Sequence, residues 1–142
     1  MKNTVVVAGF AILFGLTVSA CDKKPATPAM PAAVAVKAVT LGKAIGTDKR
    51  VTAPASSFAR TDTIYAAVET DGSGTAVLKA RWTYHKGDKV APVDENSQTL
   101  VATGPAVTEF HISKPDGWPV GDYQLEVFLG DVSAGVHKFA IK

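Results

Sequence analysis

Gly121-Asp122-Tyr123-Gln124-Leu125-Glu126-Val127-Phe128-Leu129 is the stretch of sequence that decides the fold. From Tyr123 onward every second residue is large and apolar, and the residues between them are polar apart from Phe128. Strict alternation matches the two-residue period of a β-strand with one buried face and one face in solvent. The stretch therefore predicts a half-buried strand, and Gly130-Asp131 after it predicts a turn.

Six further runs of the chain have strand character and are separated by glycine, proline, aspartate and asparagine. They are Val34–Leu41, Thr63–Thr70, Thr75–His85, Gln98–Ala102, Val107–Ser113 and Val136–Ile141. No window shows a sustained helical period. About seven short strands, each with one apolar side, predict an all-β domain over residues 34–142 that is built as a two-sheet β-sandwich.

Two aromatic residues indicate that this sandwich is immunoglobulin-like. Trp82 lies on the apolar side of its strand, where this fold class commonly places a core tryptophan. Tyr123 opens the next-to-last strand, where it resembles the tyrosine corner of Greek-key sandwiches. We therefore expect both residues to be structural core residues. Cys21 is the only cysteine, so the disulfide of antibody domains is absent and the likeness is architectural.

The N-terminal block is typical of a secreted bacterial lipoprotein. Met1-Lys2 supplies a positive charge, Val5–Val18 is a short apolar run, and Val18-Ser19-Ala20-Cys21 places small residues before the cysteine. This block resembles the lipobox. The resemblance implies that residues 1–20 are a signal peptide and that Cys21, once exposed by cleavage, carries a covalent lipid. The apolar run is too short and wrongly flanked for a membrane-spanning helix.

Residues 21–33 are expected to form a tether between the lipid and the domain. Proline recurs at positions 25, 28 and 31 without any amphipathic period, which favours a semi-stiff polyproline-like stalk or a disordered spacer. Asp22 resembles the residue that keeps enterobacterial lipoproteins in the inner membrane. Sorting rules differ in other bacteria, so the choice between inner and outer membrane stays open.

Two segments of the domain extend the resemblance. Asp62-Thr63-Ile64-Tyr65-Ala66 and Gly117–Val127 are similar to segments of Gram-negative bacterial lipoproteins that carry a single immunoglobulin-like domain. The likeness covers roughly residues 35–142. It implies a lipid-anchored protein of the cell envelope that faces the periplasm, and no activity is associated with it. Fold alone does not assign a function.

Charge and residue spacing argue against several classes of function. The formal charge of +2 includes Lys2, so the predicted mature chain carries only +1, whereas a nucleic-acid-binding domain usually has clustered basic residues. His85, His111 and His137 fall on three different strands, which argues against a metal site. No serine or carboxylate lies in a catalytic arrangement. We expect a protein that is not an enzyme, with no cofactor besides the lipid on Cys21 and no evident small-molecule substrate.

One face of the sandwich is a candidate surface for a protein partner. If the strands that contain Thr75, Tyr123 and Val136 share a sheet, its outer face presents Lys79, Arg81, Glu126, Phe128 and Lys138. Cross-strand pairs of glutamate with lysine or arginine would explain the charges as ordinary sheet stabilisation. Phe128 fits that explanation poorly, because an aromatic ring among exposed charges is typical of a contact patch. Alternatively, the Gly130 turn bends this ring under a loop.

Trp118 has two interpretations. It lies between Gly117 and Pro119, where an exposed indole would act as a binding anchor in a loop. The other interpretation places the ring at the end of the sandwich beside Tyr123, where it would serve packing.

The sequence leads to the hypothesis of a non-catalytic accessory or adaptor that binds an unidentified protein of a cell-envelope assembly by edge or face docking. The alternative is a periplasmic inhibitor or immunity protein directed against a hydrolase or toxin. In that case the loops predicted at Arg60-Thr61-Asp62 or Asp94-Glu95-Asn96-Ser97 would supply the plug.

Overall fold

The computed structural model describes residues 32–142. The predicted signal peptide, the lipidation residue Cys21, the sorting residue Asp22 and most of the tether lie outside the described residues. Within them the chain forms eight strands and no helix. These are β1 (Ala35–Gly42), β2 (Ser57–Phe58), β3 (Ile64–Asp71), β4 (Ser73–Lys86), β5 (Lys89–Thr103), β6 (Ala106–Ile112), β7 (Gly121–Leu129) and β8 (Val132–Ile141).

The strands form two sheets, as the alternating pattern predicts. The smaller sheet has the order β1-β3-β6, and the larger has the order β2-β8-β7-β4-β5. All pairings are antiparallel except that of β2 with β8, which is parallel. In the described residues no helix is long and apolar enough to cross a bilayer. The predicted two-sheet all-β architecture is confirmed.

The core lies between the two sheets and is centred on aromatic rings. Trp82 and Tyr123 are both fully buried. The ring of Phe139 stacks on Tyr123 with centroids 5.4 Å apart and meets Trp82 edge-on at 6.0 Å. Edge-on and stacked aromatic pairs add to the free energy gained by burial. Trp82 and Tyr123 are therefore core residues, as their strand positions predict.

The tyrosine corner has the expected geometry. The hydroxyl of Tyr123 donates a hydrogen bond to the carbonyl oxygen of Pro119 at 2.8 Å, four residues upstream. Burial, and to a lesser extent the neighbouring Tyr84, raise the pKa of Tyr123. This bond fixes the end of the β6–β7 loop onto the core.

Strand β5 is much longer than the sequence predicts. The run predicted over Gln98–Ala102 is part of a strand of 15 residues, so the segment Asp94–Ser97 is strand and not loop. The carboxylate of Glu95 accepts a hydrogen bond from Arg81 Nε at 2.8 Å, across the β4–β5 ladder. Because β5 lies at the edge of its sheet, it has little need of an apolar pattern. Its polar composition therefore resembles that of a loop.

The start of the described chain fixes one end of the domain. The amide of Ser73 donates a hydrogen bond to the carbonyl of Ala32 at 2.8 Å, beside the β3–β4 turn. The β5–β6 turn lies at the same end, because Ser73 pairs with Thr103. We call this end the tether end. The opposite end, which holds the β4–β5 turn and the β6–β7 loop, is called the far end.

Candidate functional site

The candidate partner residues lie together on one surface. Leu78, Ala80 and Trp82 of β4 point into the core, so the alternate positions of the same strand face solvent. We call this solvent-facing side of the larger sheet the outer face. Its residues include all five that the sequence places there: Lys79 and Arg81 on β4, Glu126 and Phe128 on β7, and Lys138 on β8.

Phe128 is half-buried under two cations. It pairs directly with Lys79, whose ammonium lies 5.9 Å from the ring centroid, and the guanidinium carbon of Arg81 lies 4.8 Å from it. Cations within about 6 Å of a ring centroid are attracted by its negative face. Neighbouring side chains on the sheet therefore cover the ring, and the expectation of a ring bent under the Gly130 turn is not needed to explain its burial.

One cross-strand arginine–glutamate pair of the expected kind forms on the outer face, with Glu95 in place of Glu126. Arg81 pairs with Glu95 on β5, and this hydrogen bond lowers the pKa of the Glu95 carboxyl. Glu126 instead accepts a hydrogen bond from the hydroxyl of Ser133 at 2.8 Å. Surface pairs of this kind contribute little to stability. These pairs leave Val77, Val101 and Val136 exposed.

A row of apolar residues crosses the outer face diagonally. Val101 of β5 lies opposite Thr75 of β4, and Val77 comes two residues after Thr75 on the same strand. Two residues further on, Lys79 lies opposite Phe128 of β7. Val136 of β8 lies opposite Glu126, which is two residues from Phe128. Each step moves one strand across and two residues along. Val101 is 73% exposed, Val77 41% and Val136 47%. We call these four residues the diagonal row. Sequence reasoning missed it because strand order and register, which a single sequence does not supply, bring its members together.

Trp118 is not an exposed anchor. It is 4% exposed, its indole Nε1 donates to the carbonyl of Asp62 at 3.0 Å, and its ring meets Tyr123 edge-on at 6.1 Å. Its amide also donates to the carbonyl of Arg60 at 2.7 Å. The indole closes the far end of the core, so the packing interpretation is correct.

Of the two loops considered for an inhibitory plug, only Arg60-Thr61-Asp62 is a loop. The carboxylate of Asp62 forms a salt bridge with Lys43 at 2.8 Å and accepts a hydrogen bond from the amide of Ala59 at 2.8 Å. The hydrogen bond from Lys43, followed by that from Ala59, lowers the pKa of Asp62. Because Trp118 binds the same segment, this loop is tied to the core.

The three histidines lie where the sequence places them. His85 on β4 and His137 on β8 are separated by β7, and His111 lies in the smaller sheet. Within residues 32–142 no three histidine, cysteine, aspartate or glutamate side chains are grouped closely enough to hold a metal ion. His111 Nδ1 instead lies 2.5 Å from a carboxylate oxygen of Glu109 on the same strand.

A cleft of about 380 Å³ opens at the far end, between β5 and the β6–β7 loop. Its walls include Tyr84, Pro92, Val93, Ile112 and Lys114. The hydroxyl of Tyr84 donates to the carbonyl of Val120 at 3.1 Å and closes one side.

Comparison with solved structures establishes the fold. An immunoglobulin-like protein from Pseudomonas aeruginosa matches with a TM-score of 0.52 and 14% identity, over 78% of this chain and 98% of its own. The domain is an immunoglobulin-like sandwich. The match extends over nearly the whole of that chain.

Two β-glucosidases match over a small part of their length. One, from intestinal bacteria and involved in saponin metabolism, has a TM-score of 0.52 and 16% identity over 78% of this chain and 16% of its own. The other, from Listeria innocua, has a TM-score of 0.51 and 9% identity over 77% and 16%. This chain therefore spans about one-sixth of those enzymes, and the likeness concerns the fold alone. No family model matches the chain. No curated protein matches it either.

Proposed function

We propose that this protein is a non-catalytic lipoprotein of a Gram-negative cell envelope, anchored through Cys21 and facing the periplasm. Its immunoglobulin-like domain binds another envelope protein through the outer face of the larger sheet. The covalent lipid is its only cofactor, and its partners are that protein and the membrane.

The diagonal row is the observation that carries the binding proposal. On a sheet that only faces solvent, the outward positions are usually polar. Here Val77 and Val136 remain largely exposed on either side of Phe128. Lys79 and Arg81 lie directly over that ring, so positive charge lies between and beside the exposed valines. Exposed apolar side chains beside an aromatic ring and an arginine are typical of a protein interface.

The chemistry of the face suggests what the partner presents. The diagonal row accepts apolar side chains, and Lys79 offers an ammonium group beside it. A matching surface would have aliphatic or aromatic residues next to carboxylates. We therefore propose a folded envelope protein with an acidic rim around an apolar patch.

The anchor is proposed from the lipobox-like segment that ends at Cys21. Ala32 is the eleventh residue after Cys21, so at about 3.6 Å per residue the connecting chain reaches at most about 40 Å. The domain would thus be confined to a layer close to the bilayer. Confinement raises the effective concentration of two proteins on the same membrane, so even a modest interface would suffice.

The binding proposal is tested by substituting members of the diagonal row in the full-length protein. Val77→Lys and Val136→Lys retain the fold because both positions are exposed, and each introduces a charge into the row. Val132→Lys, at an exposed position at the start of β8 outside the row, is the matched control. The wild-type protein is purified from native envelopes, and its co-purifying partner is identified and then produced separately.

We expect the two purified proteins to bind each other, and each row variant to weaken binding about ten-fold or more, as loss of an interface anchor does. Val132→Lys should bind as the wild type does. Equal affinity of all four proteins for the purified partner would refute docking through this face.

The anchor is tested separately by metabolic labelling with palmitate. The wild-type protein should incorporate the label and sediment with membranes, and Cys21→Ser should do neither. Asp22→Ser addresses sorting: if Asp22 retains the protein in the inner membrane, the variant should move to outer-membrane fractions. Label in the Cys21→Ser protein would contradict anchoring through this sulfur.

A further inference from the structure

The last seven residues of β5 form a sheet edge without the usual protection against pairing. Within residues 32–142, β5 pairs with β4 on one side only. Edge strands normally carry charges, proline or a bulge that prevent another strand from joining. All of these occur in the first half of β5, as Pro92, Asp94, Glu95 and a register shift near Val93. None occurs from Ser97 to Thr103.

The structure points to a second copy of this chain as the strand that joins this edge. We propose that two copies pair antiparallel through Ser97–Thr103, with Leu100 facing Leu100 of the other copy at the two-fold axis. We call this segment the pairing edge. The two larger sheets would then form one continuous sheet. The pairing edge shares Val101 with the diagonal row, but the proposal does not depend on partner binding.

The pairing edge is complementary to itself. In the proposed register Thr99 faces Val101 of the other copy, and β-branched residues are favourable cross-strand neighbours. Gln98 faces Ala102, and Ser97 faces Thr103. No charged residue faces another in this register, because the edge has none.

The proposed pairing between the two copies stops at each end for a physical reason. Beyond Thr103 the chain leaves the edge at Gly104-Pro105, and Gly104 has a φ of 147°. Residue 104 would lie opposite Asn96, so pairing stops before Glu95 and Asp94 of either copy are reached. Val101, which is 73% exposed in the single chain, would gain a neighbour on its open side.

The position of the tether favours a second copy over an unrelated strand. Thr103 lies opposite Ser73, whose amide binds Ala32 at the start of the described chain. Leu100 is three residues from Thr103, or about 10 Å along the strand. Antiparallel pairing centred on Leu100 therefore brings the tether ends of both copies near the two-fold axis. Two chains anchored in one membrane could pair in this way without stretching either tether.

Oxidative cross-linking in native membranes tests the proposal on the full-length chain. Leu100→Cys places two sulfurs opposite each other across the axis, at a spacing that a disulfide can bridge. Val90→Cys, at the other end of β5, is the control for random collision. The wild-type chain, whose only cysteine is Cys21, is the control for any cross-link formed through that residue. We expect a disulfide-linked dimer with Leu100→Cys and only background with Val90→Cys and the wild type.

Val101→Lys provides the second arm, with Val132→Lys as its matched control. The two valines are 73% and 71% exposed, so neither change threatens the fold. Val101→Lys should reduce the Leu100→Cys dimer about five-fold or more, because an edge lysine opposes strand pairing. Val132→Lys should not reduce it.

The mass of the purified protein in mild detergent supplies a readout that is independent of cysteine. Light scattering should give a protein mass of two chains for the wild type and for Val132→Lys, and of one chain for Val101→Lys. Equal cross-linking at positions 90 and 100, a single-chain mass for the wild type, or a cross-link from Leu100→Cys to a different protein would overturn the proposal. Equal cross-linking at the two positions or a single-chain mass would leave the proposal of partner binding at Val77 and Val136 unchanged.

Discussion

The hydroxyl of Tyr123 donates a hydrogen bond to the carbonyl of Pro119 at 2.8 Å, and this bond holds the loop before β7 against the core. Tyr123→Phe keeps the buried ring and removes only the bond. We expect the free energy of unfolding to fall by about 1 kcal/mol, the usual net contribution of one such bond. Denaturation in urea measures it. Tyr84→Phe, which removes a longer bond of 3.1 Å from a half-buried residue, is the control and should cost less. A larger loss for Tyr84→Phe would contradict the assigned role of Tyr123.

Trp118 should matter for stability and not for partner binding. Trp118→Ala should cost about 3–5 kcal/mol of unfolding free energy, because it empties a buried site at the far end. Trp118→Phe retains part of the packing and loses the bond from Nε1 to the carbonyl of Asp62. The folded Trp118→Phe protein should bind the purified partner with unchanged affinity. A strong loss of affinity in that variant would restore the anchor interpretation.

Gly72 and Gly74 form a matched pair that tests the tether end. Both have positive φ, 105° and 127°, so alanine is strained at either position. A Cβ at Gly72 would lie 2.4 Å from the carbonyl oxygen of Ala33, whereas a Cβ at Gly74 would meet nothing within 4 Å. Gly72→Ala should therefore destabilise the domain by roughly 1–3 kcal/mol more than Gly74→Ala. Its Ser73 amide should also exchange with solvent faster. Equal effects of the two substitutions would show that Ala32 and Ala33 are not fixed there.

From the burial of His137 we expect the domain to lose stability in mild acid. This residue of β8 lies opposite Leu125 of β7. It lines a cavity of about 200 Å³ together with Val36 and Val39 of β1. Burial lowers the pKa of its imidazole below the ordinary range of histidine, so the unfolded chain binds the proton more readily than the folded one. Stability should therefore fall as the pH drops below about 6.5.

Urea denaturation between pH 7.5 and 5 measures this effect, in a range where Asp62 and Glu95, whose pKa values are lowered, stay ionised. Lys37 of β1 lines the same cavity. His137→Val should remove much of the slope, and His85→Gln should retain it. An unchanged slope in His137→Val would contradict the burial of this ring.

The inward-facing half of the fold could be predicted from the sequence. The alternation in β4 and β7 indicates which side chains are buried, and both Trp82 and Tyr123 occupy the core positions expected of them. Burial of one face imposes a periodic pattern, and such a pattern can be read from one chain. The same parity placed Lys79, Arg81, Glu126, Phe128 and Lys138 on one surface.

The edges and the diagonal row could not be predicted in this way. An edge strand such as β5 needs no apolar pattern, so Asp94–Ser97 resembled a loop. The two residues of β2 are too few to show any period. The diagonal row depends on the register between four strands, and Val77 and Val136 are 59 positions apart in the sequence. The environment of Trp118 likewise depends on Asp62, a contact between distant segments.

The central claim, that the outer face binds an envelope protein, is tested most directly by photo-cross-linking in living cells. A benzophenone side chain is placed at Val136, in the diagonal row, or at Val120, an exposed control position in the far-end loop. The account predicts a discrete adduct with one envelope protein from position 136, reduced by the second substitution Val77→Lys and absent from position 120. The same adduct from both positions, or no adduct from position 136, would contradict it.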